Sequence, residues 1–102
     1  MKSREELQAL LEGALGSDRV YHQAPPNTGM KYPCIVYRFV KPDVKRADNK
    51  PYMVTGHWEA HHMYKKSKES ILEKMLFLTP YVSHDNQIVA DGVYNDYYTI
   101  YL

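Results

Sequence analysis

Cysteine is nearly missing from this 102-residue chain. The one thiol, Cys34, excludes an internal disulfide framework and a cysteine-rich zinc module, and it fits a reducing compartment better than an oxidising one. Glycine is sparse as well: Gly13, Gly16, Gly29, Gly56 and Gly92 are scattered, so no glycine-rich loop is present to cradle a phosphate. No stretch approaches the roughly 20 apolar residues that a membrane-crossing helix needs. The opening MKSREELQ carries charge where a secretory signal requires an apolar run of about 7–15 residues. The expectation is a protein neither exported by a cleaved signal nor spanning a membrane. An excess of one charge is absent too: 13 Lys+Arg stand against 12 Asp+Glu, a formal net charge of +1. That balance gives no global drive toward nucleic acid or anionic lipid, although it leaves room for a local patch.

What is present is globular in character. The 44% hydrophobic content is enough to offset the entropy of ordering, so disorder of the whole chain is not expected. No repeat, low-complexity tract or linker divides the sequence, and its length suits a single domain over residues 1–102. The core of so small a domain is modest, which makes oligomerisation a natural supplement. Ten tyrosines stand against two phenylalanines. Tyrosine joins a large apolar ring to a hydroxyl that wants a partner, and so suits strands and contact surfaces.

Ser3 with Glu6 makes a capping box ahead of Leu7, Leu10, Leu11, Ala14 and Leu15, and Gly16 follows as a C-terminal glycine; this predicts a helix from Ser3 to Leu15. Val20 to Gln23 is a short strand candidate, followed by a loop from Ala24 to Gly29 that Pro33 closes. Cys34 to Val40 is β-branched and aromatic and reads as a strand. Lys41 to Tyr52 holds two prolines, two aspartates, three lysines and an arginine; it reads as a long polar excursion, a length of loop that is uncommon and often functional. Met53 to Tyr64 reads as a strand with Gly56 as a candidate bulge. Ser67 is placed as the cap of a second helix burying Ile71, Leu72, Met75 and Leu78, ended by Pro80. Tyr81 to Ala90 and Val93 to Leu102 flank Asp91-Gly92, a hairpin with a type I′ turn. In the last strand Tyr94, Tyr98, Ile100 and Leu102 alternate with Tyr97, Thr99 and Tyr101. Both faces are aromatic, so covering on both sides is expected, by helices on one and by a neighbouring subunit on the other. The resulting fold class is α+β: a mainly antiparallel sheet of four to five strands with two helices packed on it, in the order α-β-β-β-α-β-β.

The histidines do not make a metal site by spacing. On a strand, His57 and His61 share a face but stand about 13 Å apart, while zinc needs its nitrogens about 2 Å from one point. His61 and His62 point to opposite faces, and His22 and His84 lie elsewhere. Cys34 opens an apolar strand and reads as a small buried hydrophobe. No catalytic residues, metal or cofactor are assigned, and an enzyme is not expected. One basic cluster is notable: Arg38, Lys41, Lys45, Arg46 and Lys50, interleaved with Tyr37, Phe39 and Tyr52 and diluted by Asp43 and Asp48. Such a mix fits a solvated loop or a protein contact. A small single-stranded nucleic-acid-binding module using Arg38, Lys45, Arg46 and the tyrosines is an alternative.

Three segments carry a resemblance: Thr28-Gly29-Met30-Lys31-Tyr32-Pro33-Cys34-Ile35-Val36-Tyr37, then Ala47-Asp48-Asn49-Lys50-Pro51-Tyr52, then Val89 through Tyr101. With the leucine-rich first helix, Leu15-Gly16-Ser17 and Val20-Tyr21, they resemble the tail terminator (tail completion) proteins of the neck of long-tailed bacteriophages, also described as minor capsid or head–tail joining proteins. The resemblance implies a virion protein without cofactor or catalysis, assembled in the host cytoplasm. As such a subunit it would form a homo-oligomeric, six-membered ring on the tail tube protein. That ring would stop tube polymerisation and offer a docking surface to the head-completion or connector protein. Genomic DNA would pass through its lumen without sequence-specific binding. A head-completion or other connector ring subunit is the alternative within the same machine. For such a ring the expected contact residues are Lys41, Lys45, Arg46, Asp48, Asn49 and Tyr52 of the polar excursion. Charge-assisted bonds and an aromatic anchor would serve there. Asn27 and Lys31, in the loop from Ala24 to Lys31, come second.

Overall fold

The computed structural model describes residues 3–23, 31–48, 50–79 and 81–102, with the backbone alone for 51–53. Helix α1 (Arg4–Leu15) begins where the Ser3 hydroxyl accepts the Glu6 N–H at 3.3 Å. It ends where Gly16, at φ 76°, donates its N–H to the Glu12 carbonyl at 2.8 Å. Leu7, Leu11 and Ala14 recur at i, i+4 and i+7, and this stripe is buried.

Five strands follow: β1 (Val20–His22), β2 (Cys34–Ala47), β3 (Lys50–Tyr64), β4 (Val82–Ala90) and β5 (Val93–Tyr101). They form one sheet in the order β1-β2-β3-β5-β4. The chain is α+β, but the sheet is mixed rather than antiparallel throughout. β1 runs parallel to β2, with Val20 opposite Ile35 and His22 opposite Tyr37. Residues 23–33 give the chain length enough to return and start β2 in the same direction, where a tight hairpin would have reversed it. Asp91 and Gly92 turn between β4 and β5 with φ of 51° and 74°, the positive pair that a type I′ hairpin requires.

The element order also departs from expectation. A 3-10 turn, Ser67–Glu69, stands where the second helix was to begin, and α2 is only Leu72–Leu76. Ser67 does not cap it: the Lys66 N–H is taken by the Glu69 carboxylate at 3.1 Å, and Ser70 is extended (φ −60°, ψ 135°), which separates the two turns. Residues 67–70 bring nothing apolar to bury, so the helix is limited to what Ile71 and Met75 anchor. Leu72, expected in the core, is 38% exposed. The second helix's expected end at Pro80 lies outside the described residues.

The largest correction concerns the excursion from Lys41 to Tyr52. It is not a loop but the continuation of β2 and β3, paired antiparallel from Lys41↔His57 out to Ala47↔Lys50. Two irregularities shape it: Val40 is an extra residue between Phe39↔Trp58 and Lys41↔His57, and a second register shift falls between Lys45 and Arg46. Gly56 is not a bulge, since it pairs in register with Pro42.

Both helices lie on one face of the sheet. There Leu7, Leu11, Ile35, Tyr37, Trp58, Met75, Tyr98 and Ile100 form the core. On β5 the alternation is as the sequence reads, with Tyr98 and Ile100 pointing inward and Tyr97, Thr99 and Tyr101 pointing away; Asp96, which that reading did not place, also points inward. Among the described residues nothing covers that second face.

Candidate interaction surfaces

β1 pairs with β2 only as far as Tyr37, and β5 pairs with β3 only from His57 onward. Residues 41–47 and 50–56 therefore leave the sheet as a two-stranded arm, tied at its base by Gly56 and Leu102. The Gly56 N–H donates to the Leu102 carbonyl at 2.7 Å, and the return bond is 2.9 Å. Seven residues of strand span about 23 Å, consistent with overall extents of 50 × 26 × 22 Å. By register Lys41, Asp43 and Lys45 line the face away from the helices, while Pro42, Val44 and Val54 line the other, where alternation along β2 also places Arg46.

The structure thus brings Lys41, Lys45, Arg46 and Asp48 together on one exposed element. Asp48 sits at the tip with φ 52°, a left-handed conformation that Asp tolerates better than most residues. Lys31 is exposed but precedes Cys34, so it stands at the opposite end of β2 from the arm. Asn27, Asn49 and the side chain of Tyr52 lie outside the described residues.

The helix-free face of the sheet is the second surface. His57 stacks on Tyr101 (centroids 4.9 Å, 25°) and His61 on Tyr97 (4.3 Å, 18°). His61 Nε2 lies 2.8 Å from Asn95 Oδ1, and Arg38 pairs with Glu59 at 2.7 Å. Arg38, Glu59, His61 and Tyr97 border a shallow depression of about 520 Å³. Partial burial holds the His61 imidazole below its usual range, against the opposing pull of Asn95 and Asp96. Each stacked pair occupies one π-face of both of its rings, which reduces the aromatic surface open to a base. Tyr37 is likewise withdrawn: it is buried, and its hydroxyl donates to Gln8 Oε1.

Beneath the helices lies a polar cluster that the sequence reading missed. Asp96 is 1% exposed, and it accepts from the Tyr64 hydroxyl at 2.7 Å and from Gln87 Nε2 at 2.8 Å, with His84 Nε2 at 3.2 Å. Burial alone would raise the Asp96 carboxyl, but the bonds from Tyr64, His84 and Gln87 outweigh it and leave it below the usual carboxylate range. His62, opposite Asp96 in the register, is fully buried and neither ring nitrogen has a partner among the described residues. Burial pushes its imidazole down to about 4. The Tyr98 hydroxyl is also buried without a partner there, and burial raises its ionisation well above the ordinary phenol. The signal for this cluster was Asp96 itself, a carboxylate placed on the inward face of a strand whose alternation is otherwise apolar.

Cys34 is fully buried, and burial keeps its thiol protonated. Among the described residues, no group of three or more His, Cys, Asp or Glu is placed to hold a metal ion, and no helix is long and apolar enough to cross a membrane. No protein-family profile and no curated protein matches the chain.

Proposed function

We propose that this chain is a structural subunit of a phage neck. It would assemble head to tail with copies of itself into a ring on the end of the tail tube, stop tube growth and give the head connector a surface to dock on. One observation supports this reading above the others, which is the arm. An isolated two-stranded hairpin is marginally stable in water, and this one extends about 23 Å past the sheet with Lys41, Lys45, Arg46 and Lys50 exposed along it. Such an element suits contact with another chain. The resemblance to tail terminators enters through the segment before and into β2, the arm's tip and the β4–β5 hairpin. Termination in this reading requires no chemistry, only two ring faces that differ, so that one matches the tube and the other does not repeat it.

The single-stranded nucleic-acid alternative is weakened by the same geometry. Arg38 is engaged by Glu59, Tyr37 is in the core, and the paired His and Tyr rings stack on each other. The test polymerises a phage tail-tube protein with and without this chain and examines the tubes by negative-stain electron microscopy. Shorter tubes carrying a cap-like ring at one end are expected. Unchanged lengths with bare ends would overturn termination and leave the head-side connector as the reading to pursue.

A further inference from the structure

The fold leaves two unlike apolar patches exposed. The first is the helix-side face of the arm, where Val44 and Val54 are cross-strand partners and Val54 is 38% exposed. Phe39, 37% exposed and edge-on to Trp58 at 5.0 Å, continues it toward the core. The second is the outward side of α2. Ile71 and Met75 turn inward, so Leu72 and Leu76 turn out at 38% and 39% exposure, and Phe77 just beyond them is 87% exposed. A phenylalanine that open is unusual, since aromatic rings carry the largest apolar area a chain has to bury and anchor interfaces when left outside.

We propose that the arm of one copy docks with its Val44–Val54 face on the Leu72–Leu76–Phe77 patch of a second copy. This deepens the ring reading and rests on it, by naming the two surfaces that meet. The two patches do not cover each other within one chain, where both remain exposed. Because they differ, a contact between them is heterologous: each added copy brings one free arm and one free patch, and such a contact builds a ring where the rotation between copies closes. Charge agrees with the apolar match. Arg46 stands two residues beyond Val44 on β2 and shares its face by strand alternation. Glu73 is exposed on α2, and helical spacing sets it between Leu72 and Leu76 on one side and Phe77 on the other. Neither Arg46 nor Glu73 has an ion-pair partner among the described residues. Desolvated under the arm, the pair would fix which way the arm lies.

The test uses full-length chains carrying Val54→Cys or Phe77→Cys, mixed and oxidised, with Cys34 left in its buried place. A disulfide-linked dimer between the two variants is expected at least tenfold above the yield from Val54→Cys mixed with Ile88→Cys, a control at an exposed site on β4. In parallel, sedimentation up to about 1 mM protein should show Phe77→Asp and Arg46→Glu as monomers, with far-UV dichroism unchanged. Arg46→Glu combined with Glu73→Arg should restore assembly. Cross-linking no better than the control, or full assembly by Phe77→Asp, would overturn this interface while leaving a ring formed by the wild-type chain intact. A wild-type chain that stays monomeric and leaves tubes uncapped would overturn the interface and the ring together.

Discussion

The hydroxyl of Tyr64 donates to Asp96 Oδ2 at 2.7 Å, joining two neighbouring strands through a carboxylate that is 1% exposed. A charge so buried persists only while its acceptors are filled, and Tyr64, Gln87 and His84 fill them. The Tyr64 ring also stacks on Tyr94 at 5.1 Å and 6°, so Tyr64→Phe removes the hydroxyl and keeps the stack. The expected loss is about 1.5–3 kcal/mol, the range for a bond to a charged group. A lowered urea midpoint with an unchanged slope would show it, and an unshifted midpoint would refute the role given to Tyr64.

His62 gives the chain an acid-labile core. Its folded pKa of about 4 lies below the ordinary histidine value near 6.5. The unfolded chain therefore binds the proton first as pH falls. The stability from keeping His62 neutral is complete above about pH 6.5 and is lost progressively down to about pH 4, on the order of 2–3 kcal/mol. Asp96 and Glu69 pull the imidazole upward and His61 pushes it down, but burial dominates. Asp96 adds a second loss in the same direction at lower pH, because its carboxyl is held below the usual range. Melting temperature should fall between pH 7 and pH 4.5, and His62→Phe, which keeps the stack on Tyr64 at 4.6 Å, should flatten that slope. An equally steep slope in the variant would place the acid sensitivity elsewhere.

These two residues also mark what the sequence did and did not disclose. The first helix was legible because Ser3, Glu6, the leucine stripe and Gly16 all specify it together. The last hairpin was legible because Asp91-Gly92 leaves few alternatives. The arm was not, because residues 41–47 face solvent on both sides and show no apolar alternation from which a strand is recognised. Parallel pairing of β1 is a tertiary fact, since three residues of strand carry no sign of their direction. The cluster around Asp96 was hidden for a similar reason. Asp96 shares the face of Tyr98 and Ile100 by alternation, a position the sequence reading passed over, and only the register reveals that Tyr64, His84 and Gln87 converge on it.

Gly56 is fixed by close approach rather than by a positive φ. A Cβ there would collide with Nε1 of Trp58 and stand 3.3 Å from the Leu102 carbonyl oxygen. The backbone cannot retreat easily, because both Gly56 polar groups are bonded to Leu102. Trp58 is 5% exposed and belongs to the core, so its indole has to shift against packed neighbours. Gly56→Ala should destabilise the chain by about 1–3 kcal/mol, the usual cost of overpacking. Indole fluorescence should change in the folded state, and a variant with wild-type stability and emission would contradict the packing described.

The arm's cations offer a separation of stability from assembly. Lys41 and Lys45 are exposed, share one face by register and form no ion pair among the described residues. Replacing exposed residues away from caps and cores usually changes stability by no more than about 0.5 kcal/mol. The double variant Lys41→Ala with Lys45→Ala should therefore melt within a few degrees of the parent. If the arm is the contact element of a ring, the same variant should lose capping of tail tubes, and wild-type capping should weaken as salt rises, because exposed charge contacts are screened within about 10 Å at 0.1 M. Tube lengths measured by electron microscopy at two salt concentrations would check both statements. Undiminished capping by the double variant would remove Lys41 and Lys45 from the interface and leave the arm's contacts to its apolar face.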